Sequence, residues 1–312
     1  MTTLLYMHPS SLEHDTGLGH PEQAGRIRAI STRLEREERK GGLFGVERRE
    51  PPRAERSALE RVHSARYVDA ILRSVPSQGH VRVDPDTIMS PGTGEAALRS
   101  AGGAVAAVDA ILGGEARNAF CALRPPGHHA EPERSMGFCF FNNVAVGAMH
   151  AIAAHGLERV SIVDFDVHHG NGTEAAFLAE PRVQYCSTHQ WPLYPGTGHR
   201  NERGVGNIVN RPLPAGTDSK TWREVVSEDI LGAIDAFEPQ LVMISAGFDA
   251  HAADPLAMLE LHEDDFWWIT RELIRLADKH GQGRVVSVLE GGYDLAALTA
   301  SVWSHLEALR GL

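Results

Sequence analysis

The sequence predicts an α/β fold: a parallel sheet with helices on both faces. Three observations predict it. Short apolar runs alternate with helical patterns along the chain. Those runs are continuously apolar, as strands covered on both faces must be. Polar and titratable stretches follow them, at the sheet edge where open parallel sheets place their ligands. The 312 residues carry no internal repeat and no low-complexity linker, so one domain over 1–312 is expected.

The elements follow in order. TLLYMH (3–8) is the first strand, and the helical pattern at 21–39 follows it. Its basic cluster RIRAISTRLEREERK is interleaved with glutamates and reads as a solvated face. Helices are then expected at 57–73 and 94–112, before the strand AFCAL (119–123). A helix at 142–155 leads to VSIVDF (160–165), whose β-branched residues suit a buried strand. A short helix at 172–179 precedes the strand VQYCS (183–187). The stretch 188–217 reads as irregular, and so long a loop in a compact domain is usually functional. The rest alternates: helix 219–236, strand LVMISA (241–246), helix 263–280, strand VVSVLE (285–290), helix 294–309.

Composition excludes some functions. Lys plus Arg is 30 against Asp plus Glu at 41, a net charge of −11, so no basic footprint for nucleic acid exists. No run of 18 apolar residues is present, so no membrane span is expected. MTTLLYMHPS lacks the basic flank and apolar core of a signal peptide. Cys121, Cys139 and Cys186 form no framework pattern, which suits reduced thiols and a cytoplasmic protein.

The strand ends carry the chemistry. After 160–165 the chain reads DVHHGNG. In an extended segment residues i and i+2 point the same way, so Asp166 and His168 can reach one ion. Asp254, in the loop after 241–246, is the expected third ligand. Oxygen and nitrogen donors with open positions suit a catalytic divalent ion, most simply zinc, and ferrous iron is compatible. His128 and His129 follow the turn PPG after 119–123. A histidine base needs an orienting neighbour, and Asp164 and Asn171 stand on the adjacent loop. A carboxylate raises a histidine pKa where an asparagine does not, so the pair should titrate differently. Tyr293 follows Gly291 and Gly292, which let the backbone adopt unusual dihedrals, and a tyrosine hydroxyl near a metal can donate to a developing oxyanion.

Together these motifs resemble the zinc-dependent histone deacetylase family, and within it the class II-like bacterial amidohydrolases, acetylpolyamine amidohydrolases and acetoin-utilisation proteins. The resemblance runs through HPE (20–22), RPPGHHA (124–130), MGFCFFNN (136–143), DFDVHHGNGT (164–173), PGTG (195–198), SAGFDAHAADP (245–255) and LEGGYD (289–294). It implies the arginase/deacetylase fold, a single domain with a central parallel sheet of about eight strands flanked by helices. It implies hydrolysis of an acetyl amide to acetate and a free amine. Asp166, His168 and Asp254 would hold zinc. His129 would be the general base and later the acid, paired with Asn171, and His128 an electrostatic partner paired with Asp164. Tyr293 would bind the substrate carbonyl. Phe138 and Tyr194 would wall a narrow tunnel with Gly137 at its floor, and His20 and Pro21 would stand near its rim. A structural potassium ion would use Asp164, Asp166, His168 and Ser187.

Rival readings also follow. Acetylpolyamine-selective relatives carry a glutamate gatekeeper where this chain has Leu261, which favours acetyl-lysine-like chains in a protein, peptide or small amide. A two-manganese ureohydrolase would need a carboxylate where Gly170 stands. An inactive acetyl-ligand binding module would have lost a ligand, base or tyrosine, and all are present. A homo-oligomer is compatible with the sequence.

Overall fold

The computed structural model describes residues 2–312. Ten strands form: β1 (Thr3–Tyr6), β2 (Val46–Arg49), β3 (Val81–Arg82), β4 (Ile88–Met89), β5 (Asn118–Cys121), β6 (Val160–Asp164), β7 (Val183–Gln190), β8 (Ile208–Leu213), β9 (Leu241–Ala246) and β10 (Val285–Leu289). Eight make one parallel sheet in the order β2-β1-β5-β10-β9-β6-β7-β8, while β3 and β4 pair as a separate antiparallel hairpin. The central strands are buried along their whole length, which is why their sequences are continuously apolar. Packed helices cover both faces with two large apolar clusters, one around Phe165, Phe248 and Phe266, the other around Val108, Ile162 and Met243. Among the described residues, no helix is long and apolar enough to cross a membrane.

The differences from the sequence expectations have local causes. β2 reads VERR and β8 reads IVNRPL, so both were hidden by polar residues and proline. Both are edge strands, where charge and proline are tolerated. The expected helix 57–73 is two helices, Arg56–Leu59 and Ala65–Ser74, because Ser64 caps the second by accepting from the Tyr67 N–H. The expected helix 21–39 starts at Gly25, since Glu22 turns inward to pair with Arg26 and Arg124. The segment 219–236 is helical but passes through a π turn at Val226–Leu231.

Two buried histidines make a pH-dependent contribution to stability. His63 accepts from the Asn142 N–H, and His305 lies between the hydroxyls of Thr270 and Ser287. Burial lowers His63 to about 4 and His305 to about 3. In the unfolded chain both titrate near ~6.5, so the unfolded state binds more protons between those values. Their contribution is complete above about pH 6.5 and is lost as pH falls toward the folded values, at ~1.4 kcal/mol per unit for each histidine. Asp249 and Glu290, both raised to about 7, act in the opposite sense over the same window, so the histidine contribution is read by comparison. Thermal unfolding followed by circular dichroism should show a smaller Tm loss from pH 7 to 5 in His305→Gln than in the native protein, and equal losses would contradict this.

Candidate active site

Five loops at the carboxyl ends of β5, β6, β7, β9 and β10 meet on one side of the sheet. β6 ends at Asp164, in register with Ser187 on β7 and Ser245 on β9. The chain then leaves the sheet in two side-chain-capped steps. Asp164 Oδ1 accepts from the Asp166 N–H at 3.1 Å, and Asp166 Oδ1 accepts from the His168 N–H at 2.9 Å. Asp166 Oδ2 accepts from the Gly291 N–H at 2.8 Å, tying this loop to the one after β10.

The closest metal-competent group at these strand ends is Asp166, His168 and Asp249. His168 Nδ1 lies 3.0 Å from Asp166 Oδ1 and 3.1 Å from Asp249 Oδ2. Asp254, the expected third ligand, is not within that group. Its Oδ2 accepts from the N–H groups of Tyr293 and Asp294, and its Oδ1 from that of Leu256. Asp249 is fully buried, with Oδ1 accepting from the Val167 N–H, whereas Asp254 and His168 each keep 7% exposure. Burial would lower His168, yet its bonds to Asp166 and Asp249 raise it to about 10. Burial and the Asp166 charge push Asp249 up to about 7. Two carboxylates and an imidazole crowded in a buried site, with Asp254 further along the Asp249 loop, fit a divalent cation.

The two histidines after β5 have different environments, as the sequence suggested. His128 Nδ1 bonds Asp164 Oδ2 at 3.0 Å, and that oxygen also accepts from the Tyr185 hydroxyl. Burial alone would lower His128, but Asp164 and Asp166 outweigh it and hold it well above the ordinary value. His129 Nδ1 bonds Asn171 Oδ1 at 2.8 Å. Burial and the positive charges of His128 and His168 hold His129 well below the ordinary value, so it is a neutral base at pH 7.

A cavity of about 260 Å³ opens onto these groups, lined by Asp86, His129, Gly137, Phe138, His168, Leu193, Tyr194, Leu256 and Tyr293. The Tyr194 ring stands edge-on to His129 at 5.1 Å, and Phe138 edge-on to Tyr293 at 6.0 Å. Gly137 has φ +56°, and a Cβ there would collide with the His129 ring. Phe138 holds φ +70° while donating its N–H to Thr87 Oγ1 at 3.1 Å. That strained residue is what turns an aromatic ring onto the cavity wall. Tyr293 has the Arg26 guanidinium 5.1 Å from its ring, and Arg26 donates to Gly292 O. Burial and the Asp249 charge hold the phenol well above its ordinary pKa, so it stays a donor.

His20 packs edge-on behind Phe138 at 4.8 Å and reaches Asp86 O, both residues of the cavity wall, and neither it nor Pro21 itself lines the cavity. Leu261 is not at the cavity either. Backbone bonds between Leu261 and residues Ala250 and Ala252 hold it fully buried in the main core. The leucine on the wall is Leu256. Ser187 lies beside Asp164, with its hydroxyl on His189 Nδ1 at 2.9 Å. At Gly170 a Cβ would collide with Asp164 Oδ2 and the Tyr185 hydroxyl, so no side chain fits there. Sequence reasoning missed Asp249, Glu131, Leu193 and Leu256. Only Asp249 carried a signal, as the first acid of GFDAHAADP.

A neutral imidazole, a phenol and a carboxylate–imidazole cluster thus stand against one largely apolar cavity. Comparison with known proteins gives the kind of protein. The histone deacetylase domain matches residues 20–309, and the chain belongs to that family. It is 39% identical to a probable deacetylase of Archaeoglobus fulgidus, over 95% of this chain and 82% of that one. It is 39% identical to a histone deacetylase-like amidohydrolase of Pseudomonas aeruginosa, over 94% and 78%. The crystal structure of the HDA15 HD domain superposes with a TM-score of 0.92 at 33% identity, covering 99% of this chain and 88% of that one. The protein is therefore a deacetylase hydrolase acting on acetylated amides, in a family that is generally metal-dependent.

Proposed function

We propose that the protein is a zinc-dependent hydrolase that removes acetyl groups from acetyl-lysine-like amines. The observation that carries this reading is the cavity itself, whose foot combines His129, His168 and Tyr293 and whose walls are Phe138, Leu193, Tyr194 and Leu256. Such walls suit an aliphatic chain ending in an uncharged amide.

Asp166 and His168 would hold the zinc ion with Asp254. Asp254 keeps some exposure, as His168 does, while Asp249 braces the loop through the Val167 N–H. The chemistry a zinc ion supplies when bound is polarisation of the amide carbonyl and acidification of a water. His129, neutral and held by Asn171, accepts the water's proton and returns it to the leaving amine. His128, charged beside Asp164, contributes a positive field. Tyr293 donates its hydroxyl to the carbonyl oxygen as negative charge develops there. Gly137 lets the substrate pass close to the His129 ring. A structural potassium ion beside Asp164, Asp166, His168 and Ser187 belongs to the same reading, supported by the register of Asp164 with Ser187.

A second reading, an acetylpolyamine substrate, is favoured by Asp86. Asp86 lines the cavity, and an acidic residue there suits a second ammonium. Acetate release from an acetyl-lysine peptide and from N-acetylputrescine separates the two. The peptide is expected to turn over faster. The reverse preference would sink the acetyl-lysine reading and leave the chemistry intact.

A further inference from the structure

His129 must present a bare Nε2 to the cavity, and its tautomer is set by what Nδ1 meets. That neighbour is the amide of Asn171, which has one accepting and one donating end. Either end satisfies the histidine. Asn171 Oδ1 can accept from Nδ1–H, leaving Nε2 bare. Alternatively Nδ2–H can donate to a bare Nδ1, leaving the proton on Nε2 and no base. His129 alone does not choose between them.

The far end of the amide does. Asn171 Nδ2 lies 2.7 Å from Glu131 Oε1 and 3.3 Å from Met136 Sδ. A carboxylate only accepts, so it demands the NH₂ end of the amide, and the thioether is a second, weak acceptor there. The oxygen then faces His129, at 2.8 Å. Glu131 is itself fixed by its backbone. Its N–H donates to Arg134 O at 2.9 Å, and its carbonyl accepts from His63 Nδ1 at 3.1 Å. Among the described residues, Glu131 forms no ion pair, so its carboxylate is committed to the amide.

We propose that Glu131 is a positioning residue: its acceptor-only carboxylate orients the Asn171 amide and so selects the His129 tautomer with Nε2 free. The inference rests on the reading of His129 as the base. It also explains why an asparagine occupies 171. An aspartate would accept from His129 with no orientation to choose, but would set two carboxylates against each other at the distance where Glu131 and Asn171 now bond. Asn171 and Glu131 therefore require each other.

The test uses full-length, zinc-loaded protein and two readouts. Long-range ¹H–¹⁵N spectra of the imidazoles, with His129 assigned by its loss in His129→Gln, report the tautomer. In the native protein it should be Nδ1–H. Glu131→Ala should move it toward Nε2–H and lower kcat for an acetyl-lysine peptide about 10–100-fold, with KM little changed, as loss of an orienting partner does. Asn171→Asp should be as impaired, and Asn171→Asp with Glu131→Gln should recover activity. A merely structural Glu131 would lower Tm without moving the tautomer or splitting kcat from KM. An unchanged tautomer in Glu131→Ala, or full activity of Asn171→Asp with Glu131 intact, would overturn the proposal. If the native protein releases no acetate from any acetyl amide, the functional reading fails, and the spectra still decide the tautomer.

Discussion

Replacing His129 with alanine should lower kcat for an acetyl amide by about 10²–10⁴-fold, the range of a positioned acid–base group. KM should change little, because the chain-binding walls are other residues. The size of the effect follows from the geometry. Of the two histidines that line the cavity, His168 is assigned to the metal and His129 is left to act, with burial and the charge of His128 opposing its protonation. His128 is held protonated by Asp164 and Asp166, so it is no substitute base. Steady-state kinetics on the purified variant, with zinc content matched to the native protein, give the comparison. A loss below tenfold would mean that His129 is not the base.

Tyr293→Phe removes one hydroxyl and keeps the ring against Phe138 and Arg26. It should cost about 10²–10³-fold in kcat, as loss of one oxyanion donor does. Arg26 and Asp254 fix the turn that carries the phenol, so its hydroxyl is held in place as a donor. The variant should fold with an unchanged Tm. A rise in KM with kcat preserved would instead assign the hydroxyl to ground-state binding.

Much of this site was legible because a parallel sheet gathers its strand ends. DFDVHHGNG, RPPGHHA, GFDAHAADP and LEGGYD each follow an apolar run, so their convergence could be read from the alternation of runs and helices alone. What stayed hidden depended on side-chain direction within loops. Asp249 and Asp254 lie on one loop, and only its path decides which carboxylate meets His168. Leu261 looked like a wall residue by spacing, but a backbone bridge to His251 turns it into the core and leaves Leu256 at the cavity. Glu131 carries no motif signal, and its role depends on a single contact with Asn171 across the fold. The edge strands β2 and β8 were missed because solvent, rather than a covering layer, selects their residues.

In the proposed mechanism one metal ion, held beside His168, enables hydrolysis in this cavity. The most direct measurement is acetate release from an acetyl-lysine peptide by protein stripped of metal and titrated with zinc. Silence without zinc is expected, with a rate that rises to a plateau at about one equivalent, as a single open catalytic site requires. Undiminished turnover by the stripped protein, or a plateau at two equivalents, would contradict it.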